Sequence, residues 1–144
     1  MNYMSKNGRL IMLALAAVFV SSGVFAASTS VNNNRTAEKA RQAVEEAAPD
    51  DWYTYAQSAE KCIRKKVNLK EAKGWLERSL EIRETTFNTA VMGDYYSQNN
   101  LPEKALEYYV KSLRIGLEQD INYKDPITHE KMMSARSEVI KASR

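Results

Sequence analysis

The stretch NLKEAKGWLERSLEI at Asn68 to Ile82 returns as NLPEKALEYYVKSLRI at Asn100 to Ile115, and this repetition constrains the fold more than any other feature of the chain. Ala72, Trp75, Leu76, Ser79, Leu80 and Ile82 recur as Ala105, Tyr108, Tyr109, Ser112, Leu113 and Ile115, each 33 residues later. Upstream, Tyr55, Ala59 and Cys62 correspond to Thr89, Gly93 and Tyr96 at a spacing of 34. A period of about 34 residues is the mark of a helical-hairpin solenoid, in which each hairpin hides its apolar face only by stacking on its neighbours. Such arrays bind other proteins rather than carry out chemistry.

A leader precedes the repeats. Lys6 and Arg9 stand before the apolar run Leu10 to Val20, and Val24-Phe25-Ala26 offers the small residues of a signal-peptidase site. The pattern is that of a secretory signal peptide over residues 1–26, with cleavage expected after Ala26. The alternative is a retained N-terminal anchor. Against it, Ser21, Ser22 and Gly23 interrupt a run that falls short of the roughly 20 apolar residues a spanning helix needs. The expected location is therefore periplasmic or secreted, with no membrane span after cleavage.

Cleavage leaves roughly 118 residues, one small domain with a single core. The formal charge of +3 falls to about +1 when Lys6 and Arg9 leave, so the mature chain carries no electrostatic footprint for nucleic acid. Cys62 is the only cysteine, which excludes an internal disulfide. On a helical face it reads as a small buried apolar side chain.

Residues 27–35 are Ala, Ser, Thr and Asn around a lone Val31 and Arg35, too polar to bury surface, and are expected as a disordered linker. Helical composition begins at Thr36, where Ala37, Ala40, Val44 and Ala47 form a narrow face of small side chains. Pro49 stops that helix, and Asp50 or Asp51 can cap the next. Helices are then expected over about 52–66, 70–83, 86–98, 102–119 and 126–142, the middle four forming two antiparallel hairpins with short turns. In the last helix Ile127, Met132, Ala135 and Val139 are expected inward and Lys131, Arg136 and Lys141 outward, as in the cap of a solenoid.

Residues about 52–119 resemble two tetratricopeptide repeats, about 52–85 and 86–119. The small and aromatic residues of the family's first helix match Gly93 and Tyr96, and less well Ala59 and Cys62. The small-bulky-small pattern of its second helix matches Ala105, Tyr109 and Ser112, and Ala72, Leu76 and Ser79. Two departures are Cys62, where an aromatic is usual, and an extra residue between the helices of the first repeat. The resemblance implies an all-α fold, a short right-handed α-solenoid of antiparallel hairpins over residues 36–144, with an N-terminal helix and a C-terminal capping helix.

It also implies a partner-binding groove on the first helices of the repeats. By position in the family's repeat its residues are Tyr53, Ala56, Gln57, Glu60, Ile63 and Arg64, then Phe87, Ala90, Val91, Asp94, Ser97 and Gln98. Ala56, Glu60 and Val91 occupy places where members that grip a carboxylate carry Lys, Asn or Arg, so a carboxylate clamp is not expected. The occupant implied is another protein's helix or extended segment.

Enzymatic chemistry finds no constellation. His129 is the lone histidine, and there is no phosphate loop, paired-cysteine motif or nucleophile elbow. Neither metal, cofactor nor catalytic residue is expected. The sequence reading is an exported adaptor or scaffold in an envelope or secretion assembly. Its alternatives are a self-associating structural protein, such as a homodimer, and an inhibitor or immunity-type protein that occludes an exported enzyme.

Overall fold

The computed structural model describes the backbone of residues 23–144 and the side chains of residues 34–144. Most of the expected signal segment lies outside the described residues. Residues 33–144 form one compact unit, which holds the packed part of the chain. The described residues form six helices and no strand: α1 (Gly23–Glu46), α2 (Trp52–Lys65), α3 (Leu69–Ile82), α4 (Thr86–Gln98), α5 (Pro102–Gln119) and α6 (Pro126–Ala142). Among the described residues no helix is long and apolar enough to cross a membrane.

The last five helices start and stop within a residue of the bounds expected from periodicity. α1 differs: its helical backbone begins at Gly23 and includes residues 27–35, the segment expected as a linker. No proline or interior glycine interrupts residues 24–46, so the backbone carries no stop signal before Pro49.

Local chemistry explains the punctuation. The Asp51 carboxylate accepts the Thr54 N–H at 3.0 Å and caps α2. Thr85 and Asn88 form a reciprocal capping box at α4, and Asp125 accepts the Thr128 N–H at 3.0 Å at α6. Pro102 and Pro126 occupy the first turns of α5 and α6, where a missing N–H leaves nothing unpaired. The turn after α2 uses two left-handed residues, Lys66 (φ 55°) and Asn68 (φ 50°), whereas the turn after α4 needs only Asn100 (φ 56°). That is where the first repeat's extra residue is absorbed.

Packing follows chain order. α2 lies on α3, α4 on α5 and α5 on α6, while α4 also touches both α2 and α3. The main core joins Ala40 of α1, Ala56, Ala59, Cys62 and Ile63 of α2, Ala72 and Leu76 of α3, and Val91 and Met92 of α4. A second cluster joins Ala105 and Tyr109 of α5 to Ala135 of α6.

The two hairpins share one interhelical bond. Ser79 Oγ donates to the Trp52 carbonyl at 2.7 Å, and its repeat equivalent Ser112 donates to the Thr86 carbonyl at 2.8 Å. Between the hairpins, the buried Asn88 amide donates to Ser79 Oγ at 2.9 Å and to the Arg83 carbonyl at 2.7 Å. α1 is tied to α3 by Arg41, whose Nε and a terminal nitrogen reach both oxygens of Glu71 at 2.8 and 3.2 Å.

Two expectations for α6 need correction. Ile127 is 67% exposed rather than inward, because in the first turn of the helix it is the neighbouring Thr128, 3% exposed, that turns toward the domain. Lys131 is half-buried rather than outward, because its ammonium is drawn to Asp94 on α4 at 2.8 Å. Met132, Ala135 and Val139 do lie on the shielded side.

Candidate functional site

Successive turns of α2 and α4 run past each other, and this contact assembles the surface expected to receive a partner. Tyr53 opens α2 at 48% exposure, and its ring lies 5.7 Å from that of half-buried Phe87 on α4, tilted by 38°. Trp52 meets Tyr53 edge-on at 5.6 Å, and the Arg83 guanidinium sits 5.9 Å above the Trp52 ring. The N-terminal ends of α2 and α4 thus carry an aromatic ledge with a cation at its back.

Polar groups continue from the ledge along α2. The Gln57 amide donates to the Tyr53 hydroxyl at 3.1 Å, and Lys61 donates to the Gln57 carbonyl oxygen at 2.9 Å, one turn apart each time. Half-buried Glu60 and exposed Arg64 lie further on, and neither is paired with a described residue. Ala90 is half-buried on α4, and Ser97 and Gln98 are exposed at its end.

Three of the twelve positions are closed to a partner. Ala56, Ile63 and Val91 are buried members of the main core. Helical periodicity identifies the face on which they sit, but α2 and α4 approach closely enough to seal the line between them. They form the floor beneath the ledge instead of its surface.

Asp94 is engaged as well. One carboxylate oxygen accepts the Tyr109 hydroxyl at 2.8 Å, and the other accepts Lys131 at 2.8 Å. Burial first, and then the nearby Asp94 carboxylate, push the Tyr109 phenol far above its ordinary range, so it remains a neutral donor at physiological pH. Asp94 therefore joins α4, α5 and α6. Sequence reasoning missed Lys131, Tyr109, Trp52 and Arg83 as neighbours of the site. Contacts spanning 37 residues, as for Lys131 and Asp94, leave no periodic trace.

The accessible surface is then Tyr53, Phe87, Gln57, Glu60, Arg64, Ala90, Ser97 and Gln98. It offers aromatic area, amide hydrogen bonds and charges of both signs, which suits a peptide or helix with one apolar face. Cys62 is fully buried, and desolvation, followed by the Glu71 carboxylate, raises its thiol above the usual range. That disfavours the reactive thiolate. Among the described residues no group of three His, Cys, Asp or Glu side chains is placed to hold a metal ion. No protein family, curated protein or solved structure matches this chain.

Proposed function

We propose that this chain is a non-enzymatic protein-interaction module. It is a short tetratricopeptide-like solenoid that seats a partner's helix or extended segment on the surface shared by α2 and α4. It acts after export, in the periplasm or outside the cell, as an adaptor within an envelope or secretion assembly. The supporting observation is the exposed Tyr53 ring tilted against that of Phe87, with Gln57, Glu60 and Arg64 continuing along the same helix. Exposed aromatic anchors with an adjoining polar rim are the usual centre of a protein interface. The hairpin bond made twice, by Ser79 and by Ser112, supports the solenoid reading.

Affinity capture from envelope extract tests this reading. The native chain serves as one bait and the double variant Tyr53→Glu, Gln57→Arg as the other. Both substitutions fall outside the buried core and remove only the Tyr53 ring contacts and its bond from Gln57, so the variant should remain folded with a melt only a few degrees below the native one. A protein retained by the native bait and lost with the variant supports the adaptor reading. If that protein is an enzyme whose activity the native chain blocks, the inhibitor reading replaces it. Equal retention by both baits removes the α2–α4 surface from the account.

A further inference from the structure

We infer that the turn between α2 and α3 is the anion-binding end of the partner surface, and that it receives an acidic stretch of the same protein that rests on Tyr53 and Phe87. The inference rests on the protein-partner reading and adds the partner's chemistry to it.

Lys61, Arg64, Lys65, Lys66 and Lys70 place five cations within ten residues that include no Asp or Glu. All five are exposed, and none forms an ion pair with a described residue. Elsewhere on the hairpins cations are matched: Lys73 by Glu77, Arg78 by Glu81, Lys111 by Glu84 and Arg114 by Glu118. Glu71, at the start of α3, is already taken by Arg41 and Asn68. Like charges this close repel one another, so the cluster works against stability until an anion meets it.

Ending a helix does not account for it. The C-terminus of α2 carries about half a unit of negative charge, which a single cation offsets. α4 ends with no cation at all: Gln98, Asn99 and Asn100 stand 34 residues after Arg64, Lys65 and Lys66. The same backbone bonds close both ends. The Lys66 N–H donates to the Ile63 carbonyl and the Val67 N–H to Cys62, just as Asn100 donates to Ser97 and Leu101 to Tyr96. Lys66 and Asn100 both take the left-handed conformation there, at φ 55° and 56°. That position favours glycine or asparagine, so the second hairpin follows the local rule and the first departs from it to keep a lysine. Departures of this kind gather at functional sites.

The cluster also continues the partner surface. Hydrogen bonds link Tyr53 to Gln57 and Gln57 to Lys61, and Arg64 and Lys65 occupy the next turn of α2. Across from them on α4, Asp94 is occupied by Tyr109 and Lys131, and Ser97 and Gln98 carry no charge. Glu60 excepted, the unpaired charges along α2 are positive. From Tyr53 to Arg64 is about 16 Å along the helix axis. A segment that seats an apolar side chain on the aromatic ledge therefore reaches the turn with carboxylates about three helical turns away, or about five residues away if it is extended. An anionic membrane suits the turn less well. Its apolar residues, Val67 and Leu69, are half-buried against the main core and leave nothing to insert between lipids.

Fluorescence anisotropy on protein from the full chain tests this with labelled amphipathic helical peptides of about sixteen residues. Each carries tryptophan and leucine on its apolar face and four glutamates at one end, in either chain direction, and each has a twin with glutamine for glutamate. At least one glutamate peptide should bind about tenfold more tightly than its twin at low salt, and the difference should vanish at about 0.5 M salt. The triple variant Arg64→Gln, Lys65→Asn, Lys66→Asn copies the end of α4. It should lose the preference for glutamate while melting at or above the native temperature, because Asn suits the left-handed position. Tyr53→Ala should weaken glutamate and glutamine peptides alike. Equal binding of the twins, or a preference that the triple variant retains, overturns the inference and leaves the α2–α4 surface standing. A preference that survives while Tyr53→Ala changes nothing removes that surface and leaves the anion site. Failure of every peptide to bind overturns both. A triple variant that melts several degrees lower assigns the cations to the end of α2, and one that loses binding to phosphatidylglycerol vesicles without any peptide preference assigns them to a membrane; either result overturns the inference.

Discussion

The hairpins α2–α3 and α4–α5 solve one packing problem with different side chains. At equivalent positions the first places Ala59 and Leu76, both fully buried, and the second places Gly93 and Tyr109. What α4 gives up in bulk, α5 supplies, so the crossing stays filled while its chemistry changes. The tyrosine adds a hydroxyl that the leucine lacks. That hydroxyl binds Asp94, whose second oxygen holds Lys131 of α6. Glu60, the first hairpin's equivalent of Asp94, is left without a partner among the described residues. Two surfaces that are nearly symmetric in sequence are therefore asymmetric in availability: the first hairpin leaves its carboxylate unpaired among the described residues, and the second uses it internally.

The outer faces differ in the opposite sense. On α3, Glu77 pairs with Lys73, and Glu84, in the loop just past its end, pairs with Lys111 of α5. The matching positions on α5 are Val110 and Leu117. The first hairpin thus turns a solvated face outward, while the second leaves apolar area beside α6.

The sharpest way to break the comparison is to overfill the second crossing. Gly93→Leu is expected to cost about 1–3 kcal/mol, because even its Cβ would lie 2.5 Å from the Tyr109 ring. In a domain of this size that is a fall of roughly 5 to 20 °C in Tm. The double variant Gly93→Ala, Tyr109→Leu recreates the first hairpin's pair and should recover much of what Gly93→Ala loses alone. A thermal double-mutant cycle reads that coupling.

Next in size are the shared serines. Ser112→Ala removes one bond to a backbone carbonyl and should cost about 1 kcal/mol. Ser79→Ala should cost more, about 1–3 kcal/mol, since it also strips the buried Asn88 amide of an acceptor. Chemical denaturation distinguishes the two, and equal losses would argue against the Asn88 bridge.

Acid should weaken the helix starts and the α1–α3 tie gradually. Hydrogen bonds from Thr54 hold the Asp51 carboxyl below its usual range, and Arg41 does the same for Glu71. For Asp125 burial acts in the opposite direction, but the bonds from Thr128 prevail and its carboxyl is lowered too. A carboxylate lowered on folding contributes stability above its ordinary pKa and loses it as the pH falls through the folded value. Tm should therefore be level from about pH 7 to 5 and decline below about pH 4. Asp51→Asn should shallow that decline.

The smallest effect concerns the outer faces. Val110→Glu with Leu117→Glu converts α5 to the charge pattern of α3 and should change monomer stability by no more than about 0.5 kcal/mol, as seen in a melt at low concentration.

Much of this comparison was legible in the sequence. The repeat located the helices, and Gly93 stood out as the small residue at a helix crossing. Three things were hidden, each for a physical reason. Periodicity assigns a face but not its depth, so Ala56, Ile63 and Val91 looked available when they are sealed between α2 and α4. Pairings distant in sequence, such as Lys131 with Asp94, depend on where α6 packs, and no local pattern encodes that. The six-residue loop after α5 shifted the register, so the Asp125–Thr128 cap did not align with Asp51–Thr54 at the repeat period.

The account rests on one claim above the others: α2 and α4 lie side by side, each crossed by its own second helix. Nuclear Overhauser spectra of the protein in solution test it most directly. Cross-peaks between the Tyr53 and Phe87 rings, and a Gly93 α-proton shifted strongly upfield by the Tyr109 ring, are the predicted result. A Gly93 resonance at its ordinary position, with no contact between Tyr53 and Phe87, would contradict both the hairpin stacking and the surface built upon it.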